Sequence, residues 1–244
     1  MNNPNYTKVM ICIQARSNST RFPQKIYQMI GKKMVLQHVI DQAKSSKIYT
    51  ERPSPRKNVK CDIALLHPEN DNQLISMFRN SGIMMIGADE QDVLSRYIKA
   101  YKDHKPDYIV RLTSDCPMIF DFIISKHINV AIFNQYDYVS NVDEECRQVA
   151  DGLDCEIMSA KAIEWLMSQD LNKDEKEHVT IAIRKKNPHE LKKGFISSKF
   201  DSSKMKLSLD TPEDLDNIRN FYHEREFKVG LAIKNYGRSN IFET

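Results

Sequence analysis

Between Arg16 and Lys25 the chain reads RSNSTRFPQK, three cations (Arg16, Arg21 and Lys25) with hydroxyl and amide side chains between them. The segment follows a short apolar run, Val9 to Ile13. A polar loop leaving a buried strand offers N–H groups and cations to several negative oxygens at once, which is what a polyphosphate needs. Neither GxxxxGK[ST] nor GxGxxG occurs, so the loop is not a P-loop and dinucleotide binding has no support. A polar surface loop with solvated cations accounts for the same residues, and the pattern alone leaves both readings open.

Carboxylates form the second set. Asp115 follows the apolar run Tyr108 to Leu112 directly after Thr113-Ser114, and Asp210 follows Lys206 to Leu209. Two carboxylates at strand ends can share one hard cation, since Mg²⁺ takes one or two protein carboxylates and completes its shell with water and phosphate oxygens. Asp115 starting a turn and Asp210 capping a helix opened by Pro212 are the competing roles. Asp151, Asp154 and Glu156 lie within six residues, and alternation puts Asp154 and Glu156 on one side of a strand. Glu177-His178 opens a predicted helix. Neither a cysteine nor a second histidine stands near it at zinc-binding spacing.

The elements that must carry these residues alternate through the first half. Strands are expected at Lys8 to Gln14, Asp62 to Leu66, Ile83 to Ile86 and Tyr108 to Leu112. Helices are expected around Leu36 to Ala43, at Asn72 to Asn80 and at Asp92 to Tyr101. Thr50 to Lys60, with two prolines and four cations, reads as an exposed connection. Such alternation predicts an α/β domain with a mostly parallel sheet, whose ligands sit beyond the carboxyl ends of the strands. In the second half we expect strands at Tyr136 to Asn141, Glu156 to Ser159 and Lys206 to Leu209. Helices are expected at Ala160 to Met167, Glu177 to Lys186 and from Thr211-Pro212 onward. One domain over 1–227 and an unassigned tail over 228–244 complete the reading.

The bulk properties narrow the partners. The 244 residues carry a formal net charge of +3 from 36 basic and 33 acidic side chains, so no basic field points to nucleic acid. Five cysteines, an odd count without a CxxC pair, fit a reducing cytoplasm rather than a disulfide framework. No apolar run reaches membrane-spanning length and MNNPNYTK lacks a signal-peptide core, so a cytoplasmic protein without membrane contact is expected.

The order of motifs is more specific than any one of them. ICIQARSNSTRFPQK resembles the IxARxxSTRxPxK signature of bacterial cytidylyltransferases. HPENDNQL, ADEQDVLSRY, VRLTSDCPMI, DGLDCEIMS, EHVT and LSLDTPEDL follow in the order of the spore-coat polysaccharide cytidylyltransferase-like family. Acylneuraminate and 3-deoxy-manno-octulosonate cytidylyltransferases are more distant relatives of that family. The resemblance implies a Rossmann-like three-layer α/β/α nucleotidyltransferase fold, often dimeric, that places CMP from CTP on an acidic acceptor with Mg²⁺.

Carried over, the resemblance makes Arg16, Lys25, Asp115 and Asp210 catalytic. Asp115 and Asp210 would hold the metal. Ala15, Arg16, Ser19, Arg21, Lys25, Thr113 and Ser114 would bind the nucleotide. Asn141, Asp151, Asp154, Glu156, Glu177 and His178 would line the acceptor side. The chain departs from the family at Asn18, Gln24 and Ser114, where glycine is usual, and at Leu65, Leu66 and His67, where small polar residues are usual. Side chains at the glycine positions are expected to narrow the phosphate loop or the nucleoside pocket, and the second group to affect cytosine selectivity. A nucleotide-sugar glycosyltransferase and a non-catalytic nucleotide-binding relative are the competing functions for such a fold.

Overall fold

The structure is a computed structural model that describes residues 6–52, 58–142, 147–198, 201–222 and 241–243. Its centre is an eight-stranded sheet in the order β10-β9-β7-β8-β6-β1-β4-β5. The strands are β1 (Thr7–Gln14), β4 (Val59–Pro68), β5 (Met84–Ala88), β6 (Tyr108–Thr113), β7 (Tyr138–Ser140), β8 (Glu156–Ser159), β9 (Lys193–Ile196) and β10 (Ile241–Glu243). Neighbours β5, β4, β1 and β6 are parallel, β8 runs antiparallel between β6 and β7, and β7 and β9 are again parallel. A two-stranded hairpin, β2 (Met29–Ile30) with β3 (Lys33–Met34), stands apart.

The continuous apolar runs have a simple cause, since both faces of the sheet are covered. Along β1, Val9, Ile11 and Ile13 pack on one face while Met10 and Cys12 pack on the other. The first face is covered by α1 (Val35–Thr50), α2 (Asn72–Phe78) and α4 (Asp121–Asn134). The second is covered by α3 (Val93–His104), α5 (Ala160–Ser168) and α7 (Ile181–Lys186), with α6 (Lys173–Glu177) packed against α3. This is the expected three-layer α/β/α arrangement. A third cluster, built on Leu207, Leu209, Leu215 and Ile218, packs a last helix α8 (212–222) against Ile30, Val35 and Met118.

Several expectations need correction. Glu177 to Lys186 is not one helix: α6 ends at Glu177 and α7 begins at Ile181, because Val179 takes φ 58° between them. Lys206 to Leu209 is not a sheet strand. It is an extended crossing with one bridge to Asp151, held by Leu207 N–H on Asp151 O (2.6 Å) and Leu209 N–H on Asp115 O (2.8 Å). Helix α4 was not anticipated: Phe122, Ile123, Ile124, Ile128, Val130, Ala131 and Ile132 spread around it, so no polar stripe marks the period. Of the Thr50 to Lys60 connection, residues 53–57 lie outside the described residues. So does the 227/228 domain boundary, while 241–243 of the expected tail pair antiparallel with β9.

Candidate active site

The carboxyl ends of β1 and β6 open into a cleft of about 420 Å³. β1 supplies Gln14, and the loop after it adds Ala15, Arg16, Ser19, Thr20, Arg21 and Lys25; β6 supplies Arg111 and Thr113, and the turn after it Ser114 and Asp115. Parallel pairing fixes this meeting, because Gln14 is in register with Thr113 and Ser114 N–H donates to Gln14 O at 3.0 Å.

The loop is latched from outside. Asp71, the N-cap of α2, accepts Ser17 N–H (2.7 Å), Ser17 Oγ–H (2.6 Å) and Leu74 N–H (3.1 Å), and Tyr27 OH meets Ser17 Oγ at 2.6 Å. Burial first, then the Asp71 charge, holds the Tyr27 phenol above its ordinary pKa. Beyond that latch the N–H groups of Asn18, Ser19, Thr20 and Arg21 meet no acceptor among the described residues. A run of free amides flanked by cations is an anion-binding arrangement. Of the three positions where glycine is usual, only Gln24 has positive φ, 58°, and Asn18 and Ser114 do not.

Lys25 joins the two carboxylates. Its ammonium, on a side chain 11% exposed, donates to Asp115 Oδ2 (2.7 Å), Asp210 Oδ1 (3.2 Å) and Leu209 O (2.7 Å). Asp210 also pairs with Arg21 (2.8 Å) and Lys206 (3.4 Å). Burial works to raise the Asp115 carboxyl, but the Lys25 charge and hydrogen bond outweigh it and its pKa lies below the ordinary value. The cap of α8 leaves Asp210 available. Thr211 Oγ1 accepts Asp214 N–H (3.3 Å), and Asp214 Oδ2 accepts Thr211 N–H and Asp210 N–H (both 2.9 Å). The capping role considered for Asp210 thus belongs to Thr211 and Asp214.

The expected acceptor residues divide. Glu177 and His178 do line the cleft, at the break between α6 and α7. Asp151 and Asp154 gather on Arg147, and Asp151 also accepts Ser208 Oγ–H. Burial, opposed by Arg147 and reinforced by Asp151 and Glu156, pushes the Asp154 carboxyl up to about 6. Asn141, Asp151, Asp154 and Glu156 are corrections, for none of the four lines the cleft. Asn141 is fully buried and ties Leu153 O to Cys155 N–H. Glu156, 1% exposed, accepts from Arg111 (2.6 Å), Arg184 (2.6 Å), Thr180 (2.7 Å) and Tyr138. Leu65, Leu66 and His67 are buried within β4 and are not among the residues that line the cleft.

Arg96 and Arg111 line the cleft and were not expected there. Both stand inside quoted blocks, DVLSRY and VRLTSDCP, whose arginines were the available signal. Four cysteines, Cys12, Cys61, Cys116 and Cys155, are free and buried, and Cys146 lies outside the described residues. No described helix is long and apolar enough to cross a membrane.

Comparison with known proteins places this site in a family. The profile of the family described as cytidylyltransferase matches residues 10–234. The chain is 28% identical over 223 residues to the spore coat polysaccharide biosynthesis protein SpsF of Bacillus subtilis, covering 88% of this chain and 87% of that protein. A solved cytidylyltransferase from Leptospira borgpetersenii superposes with TM-score 0.80 at 28% identity, over 94% of each chain. The structure of a CMP:2-keto-3-deoxy-manno-octonic acid synthetase with CTP shares the fold at TM-score 0.66 and 14% identity, over 90% of this chain and all of that one. The cleft and its loop are thus carried by a chain that belongs to the cytidylyltransferase family.

Proposed function

We propose that this cytidylyltransferase transfers CMP from CTP to an oxygen of an acidic small molecule, a sugar acid or phosphorylated metabolite, and releases pyrophosphate. The observation that carries the reading is Lys25 between Asp115 and Asp210, beside the free amides of 18–21. The acceptor oxygen attacks the α-phosphorus in line. A new P–O bond forms, and the bond to the β-phosphate oxygen breaks with its electron pair leaving on pyrophosphate. Positioning and charge neutralisation supply most of such a rate enhancement. Arg16, Arg21 and Lys25 hold the phosphates, the amides of 18–21 orient them, and Glu177 and His178 face the acceptor from the mouth of the cleft.

The two carboxylates fit a divalent cation. They lie close enough to share one ammonium and are hard oxygen donors, and Asp115 Oδ1 meets the Cys116 thiol at 3.7 Å. When bound, Mg²⁺ would neutralise charge on the α-phosphoryl group. The name of the Bacillus subtilis relative supports surface polysaccharide biosynthesis as the setting. Free buried cysteines support a cytoplasmic site of action, and a homodimer rests on the family resemblance alone.

The test is pyrophosphate release from CTP and Mg²⁺ across a panel of sugar acids and phosphorylated metabolites, with Asp115→Asn beside wild type. Wild type is expected to release pyrophosphate with one acceptor. The variant is expected to lose that release by at least about a hundredfold while remaining folded. Retained turnover in the variant removes Asp115 from the mechanism, and nucleotide-sugar consumption without pyrophosphate makes the chain a glycosyltransferase.

A further inference from the structure

Arg96 has no part in the reading above, yet it lines the cleft from α3, one turn after Val93 on the same face. It is 2% exposed. Its Nε donates to Asp89 O at 3.0 Å and its Nη2 to Glu90 O at 2.7 Å, both uncharged carbonyls. It forms no ion pair among the described residues, and the Asp89 carboxylate is engaged instead with Gln91 and Asp92 N–H. Buried charges are ordinarily paired, because taking a cation out of water costs more than hydrogen bonds to carbonyls return. Its remaining donors are not sealed in the core, since the described buried side-chain atoms without a partner belong to Arg111 and His127.

Arg16 lines the same cleft, where it is exposed and hydrogen-bonds nothing among the described residues. Burial first lowers the Arg96 pKa and the Arg16 charge adds to that, against Tyr97, Asp89 and Glu90, which raise it. Both guanidiniums line one cleft and neither forms an ion pair among the described residues, although the Asp89 and Glu90 charges favour the charged form of Arg96. Two cations held in this way are complementary to a multiply charged anion, and guanidinium is suited to phosphate oxygens.

We propose that Arg96 and Arg16 together clamp the pyrophosphate portion of the nucleoside triphosphate. The inference rests on the CTP reading and extends it to a buried cation on α3. The alternative is that Arg96 only pins the 89–90 turn through its two carbonyl bonds.

Titration calorimetry with Mg²⁺ separates these. CTP, CMP and inorganic pyrophosphate are titrated into wild type, Arg96→Lys and Arg96→Met, and each protein is melted without nucleotide. The Met variant is expected to bind CTP and pyrophosphate about tenfold to a hundredfold more weakly, with CMP affinity changed less than about threefold. Its melting midpoint should hardly fall, because the cost of burying the charge leaves with it. The Lys variant, keeping the charge, should fall between. Equal loss for all three ligands with a lowered midpoint, or unchanged affinities in both variants, overturns the clamp. Wild type that binds none of the three overturns the CTP reading itself, and the clamp with it.

Discussion

Glu156 is the residue on which the floor of the cleft depends, and its neutralisation has a calculable effect. It is 1% exposed and accepts from two guanidiniums, Arg111 and Arg184, each at 2.6 Å, as well as from Thr180 at 2.7 Å and Tyr138. Glu156→Gln keeps the shape but leaves two buried cations without a counter-charge. Breaking a buried pair in this way costs about 3–5 kcal/mol. For a domain of this size 1 kcal/mol moves the thermal midpoint by about 2–4 °C, so a fall of about 6–20 °C is expected at neutral pH. Burial works to raise the Glu156 carboxyl, but Arg111, Arg184 and its hydrogen bonds hold it below its ordinary value of 4.5. A carboxylate depressed in the folded state adds stability above its unfolded pKa and loses it as pH falls through the folded value. Melting followed by circular dichroism should show wild type losing midpoint below about pH 4.5, with a shallower acid limb in the variant. A variant within about 1 kcal/mol of wild type at neutral pH, or one with an unchanged acid limb, would refute the assignment of that network as a paired, charged core.

Two other substitutions probe the backbone around the site. Gln24 occupies φ 58°, where a side chain costs about 1–2 kcal/mol that glycine avoids, offset by glycine's own entropy. Gln24→Gly is expected to stabilise the fold by a net of about 0.5–1 kcal/mol, read as a raised midpoint, and a lowered midpoint would show that the Gln24 side chain contributes more than its strain. Gly152→Ala should do the opposite. Its φ is 99°, and an added Cβ would stand 2.3 Å from Leu207 C and 2.5 Å from Ser208 N, inside the crossing that positions Asp210. A loss of more than about 3 kcal/mol is expected in thermal melts, and a midpoint near wild type would mean the crossing can move aside.

Much of this site was legible because its parts lie at strand ends. The apolar runs before Arg16 and before Asp115 place both residues at the same edge of a parallel sheet, and the structure brings them to one cleft. Asp210 reached that edge differently from the expectation. It is placed not by a strand but by an extended crossing hydrogen-bonded to Asp115 O and Asp151 O, which periodicity does not register. Glu156 looked like an acceptor residue because local alternation says which residues share a face but not what covers that face. Here α7 and the Val179 turn cover it, bringing Arg184 and Thr180 from more than twenty positions away. Arg96 is not legible in the sequence, because an arginine on an amphipathic helix reads as solvent-facing and only tertiary packing turns it inward.

The central claim is that the loop and the carboxylates together hold CTP with a divalent cation. It is tested most directly by the melting midpoint of the purified protein with CTP, UTP, ATP or GTP, each with and without Mg²⁺. A ligand that binds only the folded state raises the midpoint, because it stabilises that state by about 2.7 kcal/mol when present at a hundred times its Kd. The account predicts a rise with CTP that requires Mg²⁺ and exceeds that with the other three nucleotides. A larger rise with another nucleotide, or the same rise without the cation, would contradict it.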